Sequence, residues 1–374
     1  MVKHNADNER IKHRYQLYRE GACGQNAASV DKALAAIHDF EQSTGFKPFR
    51  LFHINQAMAY VRTLGDRINP KTGKPYALAT INANLAALRT FFIWFGGQSE
   101  GRYRINYGDA DYFRLSEKDG RIARATRPKR VPSLDEARQV VLAMPFGTDI
   151  KKRDRALMAF LLLTGARVDA IRSARLKHVN METGHFHQDA RDVRTKRSKT
   201  FVTGFSPVGD DMAAILADWV SHLTGVLAFG PDDPLFPRTA LTHDDHACFA
   251  PGGLARDPWQ STGTIRTIVA EAFKAQGLPP ANPHILRDTL AQLGQRLCRT
   301  PEEMKAWSQN LGHDRVLTTL TSYGTVPPEQ QTAIIQGLAN RDEDADPLGD
   351  LTRAETETVL RFMKQVLLKL PEVT

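Results

Sequence analysis

The chain has 374 residues, 41% hydrophobic and 25% charged, with three cysteines and a formal net charge of +8. That length allows two or three domains of roughly 100–200 residues each, and the composition is that of an ordinary globular protein. No apolar run approaches the ~18 residues that cross a bilayer, the N-terminus lacks a signal-peptide core, and Cys23, Cys248 and Cys298 are too few and too scattered for a disulfide framework or thiolate metal site; a reducing cytoplasm and no membrane partner are expected.

The positive charge is concentrated at one end. Residues 1–130 hold 22 Lys and Arg against 12 Asp and Glu, residues 131–340 hold 23 against 22, and residues 341–374 hold 5 against 8. A basic N-terminal third reads as a polyanion-binding surface, nucleic acid first, or else as a solvated basic face.

In chain order, "ASVDKALAAIHDFEQSTG" places Val30, Ala33, Leu34, Ile37 and Phe40 at helical spacing, with Gly45 as a stop. "HINQAMAYVRTLGDRI" is a second helix. "NPKTGKP" is a turn-rich loop whose "TGK" lacks the upstream glycine of a phosphate-binding loop. "LATINANLAALRTFFIWFGG" is the clearest helix, with Leu78, Ile81, Leu85, Leu88, Phe91, Phe92 and Phe95 in one core-facing stripe. "EKDGRIARATRPKRVPSLDEA" then crowds Arg121, Arg124, Arg127, Lys129 and Arg130 into ten residues, and Pro128 and Pro132 break helix. It reads as a basic linker, either a solvated hinge or a strap along phosphates.

Ser133 and Glu136 form a capping box that restarts a helix, so the domain boundary falls near 125–131. "RALMAFLLLTGARVDAIRSARL" is helical apart from Gly165. "GHFHQDARDVRTKRSKTFVTGFSP" suits a β-hairpin with a basic middle. "STGTIRTIVAEAFKAQG" and "PHILRDTLAQLGQRLC" are helices, the second opened by Pro283. His243, His246 and Cys248 in "THDDHACF" resemble metal ligands but read as an insert loop, and no metal is expected. A helix at 328–339 is followed by the acidic connector "RDEDADPLGD" and a tail helix with Val359, Met363, Val366, Leu367 and Leu370 on one face. Such a face must be covered by its own domain or by a neighbouring protomer.

Three short segments stand in order: "TGARVDAI" with Arg167, "HILRDT" with His284 and Arg287 on one helical face, and "LGHDRVLTTLTSYG" with His313 and Tyr323. Lys196 and Lys199 lie in the hairpin between the first two. The set resembles the tyrosine site-specific recombinases, the phage integrase family, across the whole C-terminal domain. The sequence departs from the common pattern at Ala170, where an acidic residue is usual and Asp169 stands beside it. Asp288 replaces a second histidine, and the gap from His313 to Tyr323 is one residue longer than usual.

The resemblance implies a mainly α fold with a small β-sheet. A helical core-binding domain (1–125, with its linker to about 131) and a mixed α/β catalytic domain (132–340) would form a C-shaped clamp around double-stranded DNA. The tail (341–374) would be a subunit contact in a homo-oligomer, by family a tetramer on paired sites, in the bacterial cytoplasm. Arg121, Arg124, Arg127, Lys129, Arg130 and Lys199 would then be DNA contacts.

It also implies a chemistry. Tyr323 would attack phosphorus and form a 3′-phosphotyrosine link. Arg167 and Arg287 would clamp the scissile phosphate, as planar, permanently charged guanidinium forks do well. His313 would hydrogen-bond the same oxygens, and His284 would accept the tyrosine proton or position Tyr323. Lys196, or Lys199 in its place, would protonate the 5′-oxygen. The covalent link would keep the bond energy, so neither ATP, metal nor other cofactor is implied. The rival readings are a type IB topoisomerase-like relaxer and a DNA-binding regulator whose tyrosine is idle.

Overall fold

Asn5 opens the first helix by accepting hydrogen bonds from the backbone N–H groups of Asp7 and Asn8. The computed structural model describes residues 4–69, 72–98, 105–125, 130–243 and 249–313, with positions 316, 357 and 361. Among the described residues the protein is mainly helical with three small antiparallel sheets, the class expected. It divides into two compact units, Met1–Arg127 and Pro128–Thr374.

The first unit comprises α1 (Ala6–Leu17), α2 (Ala27–Ser43), α3 (Ile54–Asp66), a short β1–β2 pair (Ile68–Asn69 and Lys74–Pro75), α4 (Leu78–Gly96) and α5 (Glu117–Arg124). Periodicity does not single out α1, because much of what it buries is polar. Asn8 Nδ2 and Lys12 Nζ donate to the fully buried Glu41 carboxylate of α2 at 2.8 and 2.7 Å, so each buried charge meets its partner. The α4 stripe is core as expected: Ile81, Leu85, Leu88, Phe91, Phe92 and Phe95 are buried. With 19 residues, α4 is nevertheless long and apolar enough to cross a membrane by length and composition. The expectation that no run approaches that length is corrected on this point, and the stripe's burial in the unit's core accounts for the apolarity.

The basic stretch begins on a helix. Arg121 and Arg124 sit in the last turn of α5, which Ser116 caps by accepting from Asp119 N–H at 3.1 Å. Basic residues there complement the helix dipole, so the first part of the stretch read as a basic linker is helix up to Arg124.

The second unit begins with α6 (Leu134–Ala143), which has the Ser133–Glu136 capping box. Next come α7 (Asp149–Thr164), α8 (Val168–Ser173) and a three-stranded sheet in the order β3 (Val179–Asn180), β4 (His185–Gln188), β5 (Phe201–Gly204). Then follow α9 (Asp210–Ser221), an antiparallel pair β6 (Thr239–His243) and β7 (Phe249–Leu254), α10 (Gly263–Ala275), α11 (Pro283–Leu297) and α12 (Pro301–Asn310). Every residue of α7 from Ala156 to Leu163 is buried, so this helix is the axis around which the unit packs. The stretch read as an insert loop starts on a strand, β6; His246 and Cys248 lie outside the described residues, as do the helix at 328–339 and the connector. Of the tail, only positions 357 and 361 are described.

Candidate active site

Four connections in the second unit carry five of the six predicted catalytic residues. The first is the end of α7. Gly165 takes a left-handed conformation, φ 56°, and its N–H donates to Leu161 O at 2.9 Å, closing the helix. The chain then turns into α8, with Arg167 at its N-cap, half-buried. Ala170 is buried in the core, and the Asp169 carboxylate faces Arg172 at 3.5 Å.

The second is the start of α11. Asn282 accepts from the N–H groups of His284 and Ile285 at 2.9 and 3.2 Å, and Pro283 occupies the first turn. His284 is exposed, with Asp288 one turn on at 3.7 Å between Nε2 and Oδ1. Arg287, on the buried side, is only 3% exposed. Its Nη1 donates to Gly165 O at 2.6 Å, and its Nη2 donates to Leu311 O. Arg287 therefore ties α11 both to the end of α7 and to the turn after α12.

That turn is the third connection. The N–H of Gly312 donates to Gln309 O at 2.7 Å and that of His313 to Ser308 O at 3.1 Å, with Gly312 at φ 65°. His313 is 6% exposed, and its Nε2 lies 2.8 Å from Arg287 Nη2. Burial pushes the His313 imidazole down to about 3, and the charges of Arg287, Arg167, His284 and Lys196, in that order, push the same way. The ring is neutral at pH 7. A guanidinium can only donate, so Nε2 accepts and the proton is assigned to Nδ1.

The fourth is the 189–200 connection between β4 and β5. It contains a single 3-10 turn, Lys196–Ser198, with Lys196 and Lys199 both exposed. The sheet carrying it is seated on α12: Asn310 Oδ1 accepts from Gly204 N–H at 2.6 Å and Asn310 Nδ2 donates to Gly204 O at 2.9 Å.

Four of the six predicted catalytic residues, Arg287, Arg167, His284 and Lys196, thus stand near enough to a fifth, His313, to push its pKa down. Tyr323 lies outside the described residues, as do Arg127 and Lys129. Of the predicted DNA contacts, Arg121 pairs with Glu117, Arg124 Nε donates to Gly120 O at 3.0 Å, and Arg130 lies 2.5 Å from Glu136. Among the described residues no group of three or more His, Cys, Asp or Glu could hold a metal ion.

Sequence reasoning marked Gly165 as the break in the helical run but passed over Asn310 and Gly312. Glycines directly after an apolar helical run are a legible helix-stop signal. Nothing local marks Asn310, whose partners are 106 residues away.

The sequence model of the phage integrase family matches residues 133–329, more than half of the chain and a span that includes all six candidates. No curated protein sequence matches. Among solved structures, a lambda integrase fragment crystallised as a dimer bound to a COC′ core site is 16% identical, with a TM-score of 0.57 over 84% of this chain and 94% of that one. An integrase fragment of the Tn1549 transposon, in complex with transposon right end DNA, is 16% identical, with a TM-score of 0.52 over 88% of this chain and 98% of that one. At such identities the likeness is one of fold.

Proposed function

Because the chain belongs to the phage integrase family, the tyrosine recombinases, we propose that it cuts and rejoins double-stranded DNA at specific sites through a 3′-phosphotyrosine intermediate. The observation that carries this reading is the convergence of Arg287, Arg167, His284 and Lys196 on the neutral His313. Four cationic or protonatable groups gathered about one centre suit a phosphodiester in transit.

On this reading the Tyr323 hydroxyl oxygen attacks phosphorus, and its proton passes to His284. As the new P–O bond forms, the P–O5′ bond breaks, and Lys196 gives a proton to the departing 5′-oxygen. Arg167 and Arg287 hold the non-bridging oxygens, and the His313 Nδ1–H is a further donor. Fixed donors of this kind stabilise developing charge without reorganising. The covalent link conserves the bond energy, so attack by a 5′-hydroxyl reverses the sequence. The family's lysine-x-x-lysine hairpin, with the active lysine first, favours Lys196 over Lys199 as the acid. The first unit would be the core-binding domain, and assembly would be a homo-oligomer on paired DNA sites.

The test is a suicide substrate nicked beside the cut site, with EDTA present and products resolved on a denaturing gel. The protein should form a covalent adduct that Tyr323→Phe abolishes while leaving DNA binding intact. An adduct in the mutant would remove Tyr323 from the reaction, and a strict metal requirement would defeat the mechanism.

A further inference from the structure

The Lys196 turn is exposed, yet its approach is fixed at several points. Val193 is 1% exposed and anchors the connection in the core. Asp192 Oδ2 pairs with Lys177 Nζ at 2.9 Å. The base is closed where Ala190 N–H donates to Thr200 Oγ1 at 3.1 Å. A further fixture close to the lysine ties the connection to α8. Arg194 N–H, two residues before Lys196, donates to Ser173 Oγ at 2.8 Å. Ser173 is the last residue of α8, the helix that begins at Arg167, and its hydroxyl in turn donates to Asp169 O at 2.9 Å.

We propose that Ser173 is a positioning residue for catalysis: through its bond to Arg194 N–H, its hydroxyl fixes where the Lys196 turn leaves the Arg167 helix. The inference rests on the reading of Lys196 as the acid that protonates the 5′-oxygen. The hydroxyl suits the task because it accepts from one segment while donating to the other, so one side chain sets the register between the phosphate clamp and the proton donor. Without it, Arg194 N–H can turn to solvent at little cost to the fold. The lysine, on an exposed turn, would then sample positions away from the leaving oxygen, and misplacement of a reacting group is costly in rate.

A general stability role and a positioning role differ in what the leaving group needs. A substrate whose bridging 5′-oxygen is replaced by sulfur departs without a proton, so it is indifferent to where Lys196 sits. The experiment compares full-length protein, Ser173→Ala, Ser173→Thr and Lys196→Ala in single-turnover adduct formation at saturating protein, on oxygen and on sulfur substrates. Ser173→Ala should be roughly tenfold slow on oxygen, a fraction of what a general acid contributes, and within about twofold of the parent on sulfur; Ser173→Thr, which keeps the hydroxyl, should match the parent on both. Ser173→Ala running at the parent rate on oxygen, or equally slow on both substrates, would overturn the proposal. If Lys196→Ala is rescued by sulfur while Ser173→Ala is not, Lys196 keeps its role and Ser173 loses its own. If sulfur fails to rescue Lys196→Ala, the assignment of Lys196 falls and this inference with it.

Discussion

Arg287 Nη2 lies 2.8 Å from His313 Nε2, and the same guanidinium donates to the carbonyls of Gly165 and Leu311. Arg287 is therefore a structural bolt as well as a candidate phosphate ligand. Arg287→Ala should lower the melting temperature and the cleavage rate together, because it strands two buried carbonyls at about 1–3 kcal/mol each and removes a fixed donor worth on the order of 10²–10³ in rate. Arg167→Ala, from a half-buried helix cap, should cost a comparable factor in cleavage with a much smaller change in melting. Calorimetry beside the adduct assay separates the two, and an Arg287→Ala protein that melts like the parent would contradict the bolt.

The neutral His313 gives the fold a pH dependence with a definite sign. Its imidazole is pushed down to about 3 by burial and then by the surrounding cations, whereas an unfolded histidine titrates near ~6.5. Above that value both states are unprotonated and the contribution is complete. As pH falls toward 3 the unfolded chain binds a proton that the folded one refuses, so stability is lost, at most about 1.4 kcal/mol per pH unit for this single group. Urea midpoints between pH 7.5 and 4.5 should fall more steeply for the parent than for His313→Gln. Parallel curves would show that His313 does not titrate this way.

Two glycines hold the site closed. A Cβ at Gly165 would stand 2.9 Å from Leu311 Cδ2 and 3.0 Å from Leu290 Cδ1, and one at Gly312 would stand 2.5 Å from Phe201 Cζ, both on left-handed backbone. Gly165→Ala and Gly312→Ala should each cost roughly 2–5 kcal/mol, from about 1–2 of backbone strain and 1–3 of overpacking. Chemical denaturation measures the loss. Gly165→Ala should also slow adduct formation, since the Gly165 carbonyl is an Arg287 acceptor; unchanged stability in both variants would mean that the turns adapt freely.

The charge excess of residues 1–130 makes its own prediction. Arg121 and Arg124 lie on α5, where Glu117 and Gly120 O engage their side chains. If each contacts phosphate, Arg121→Ala and Arg124→Ala should weaken binding evenly across DNA sequences and each lower the slope of log affinity against log salt by roughly one. Fluorescence anisotropy across a salt series reads this directly. A slope unchanged from the parent would take both residues off the DNA.

The sequence by itself determined the helical class and the order of the site motifs. The α4 stripe, the Ser133–Glu136 capping box, and the Gly165 and Pro283 boundaries are local signals, because helix periodicity and caps depend on residues three or four apart. A basic run with two prolines concealed α5, since charge density says nothing about backbone state. Tertiary structure alone decided what each site residue touches. The bond between Arg287 and Gly165 spans 122 residues, that between Arg287 and His313 spans 26, and that between Gly204 and Asn310 spans 106. No pattern within a short window fixes those partners. The sequence placed a histidine after a helix; only packing beneath the cations leaves it buried and uncharged.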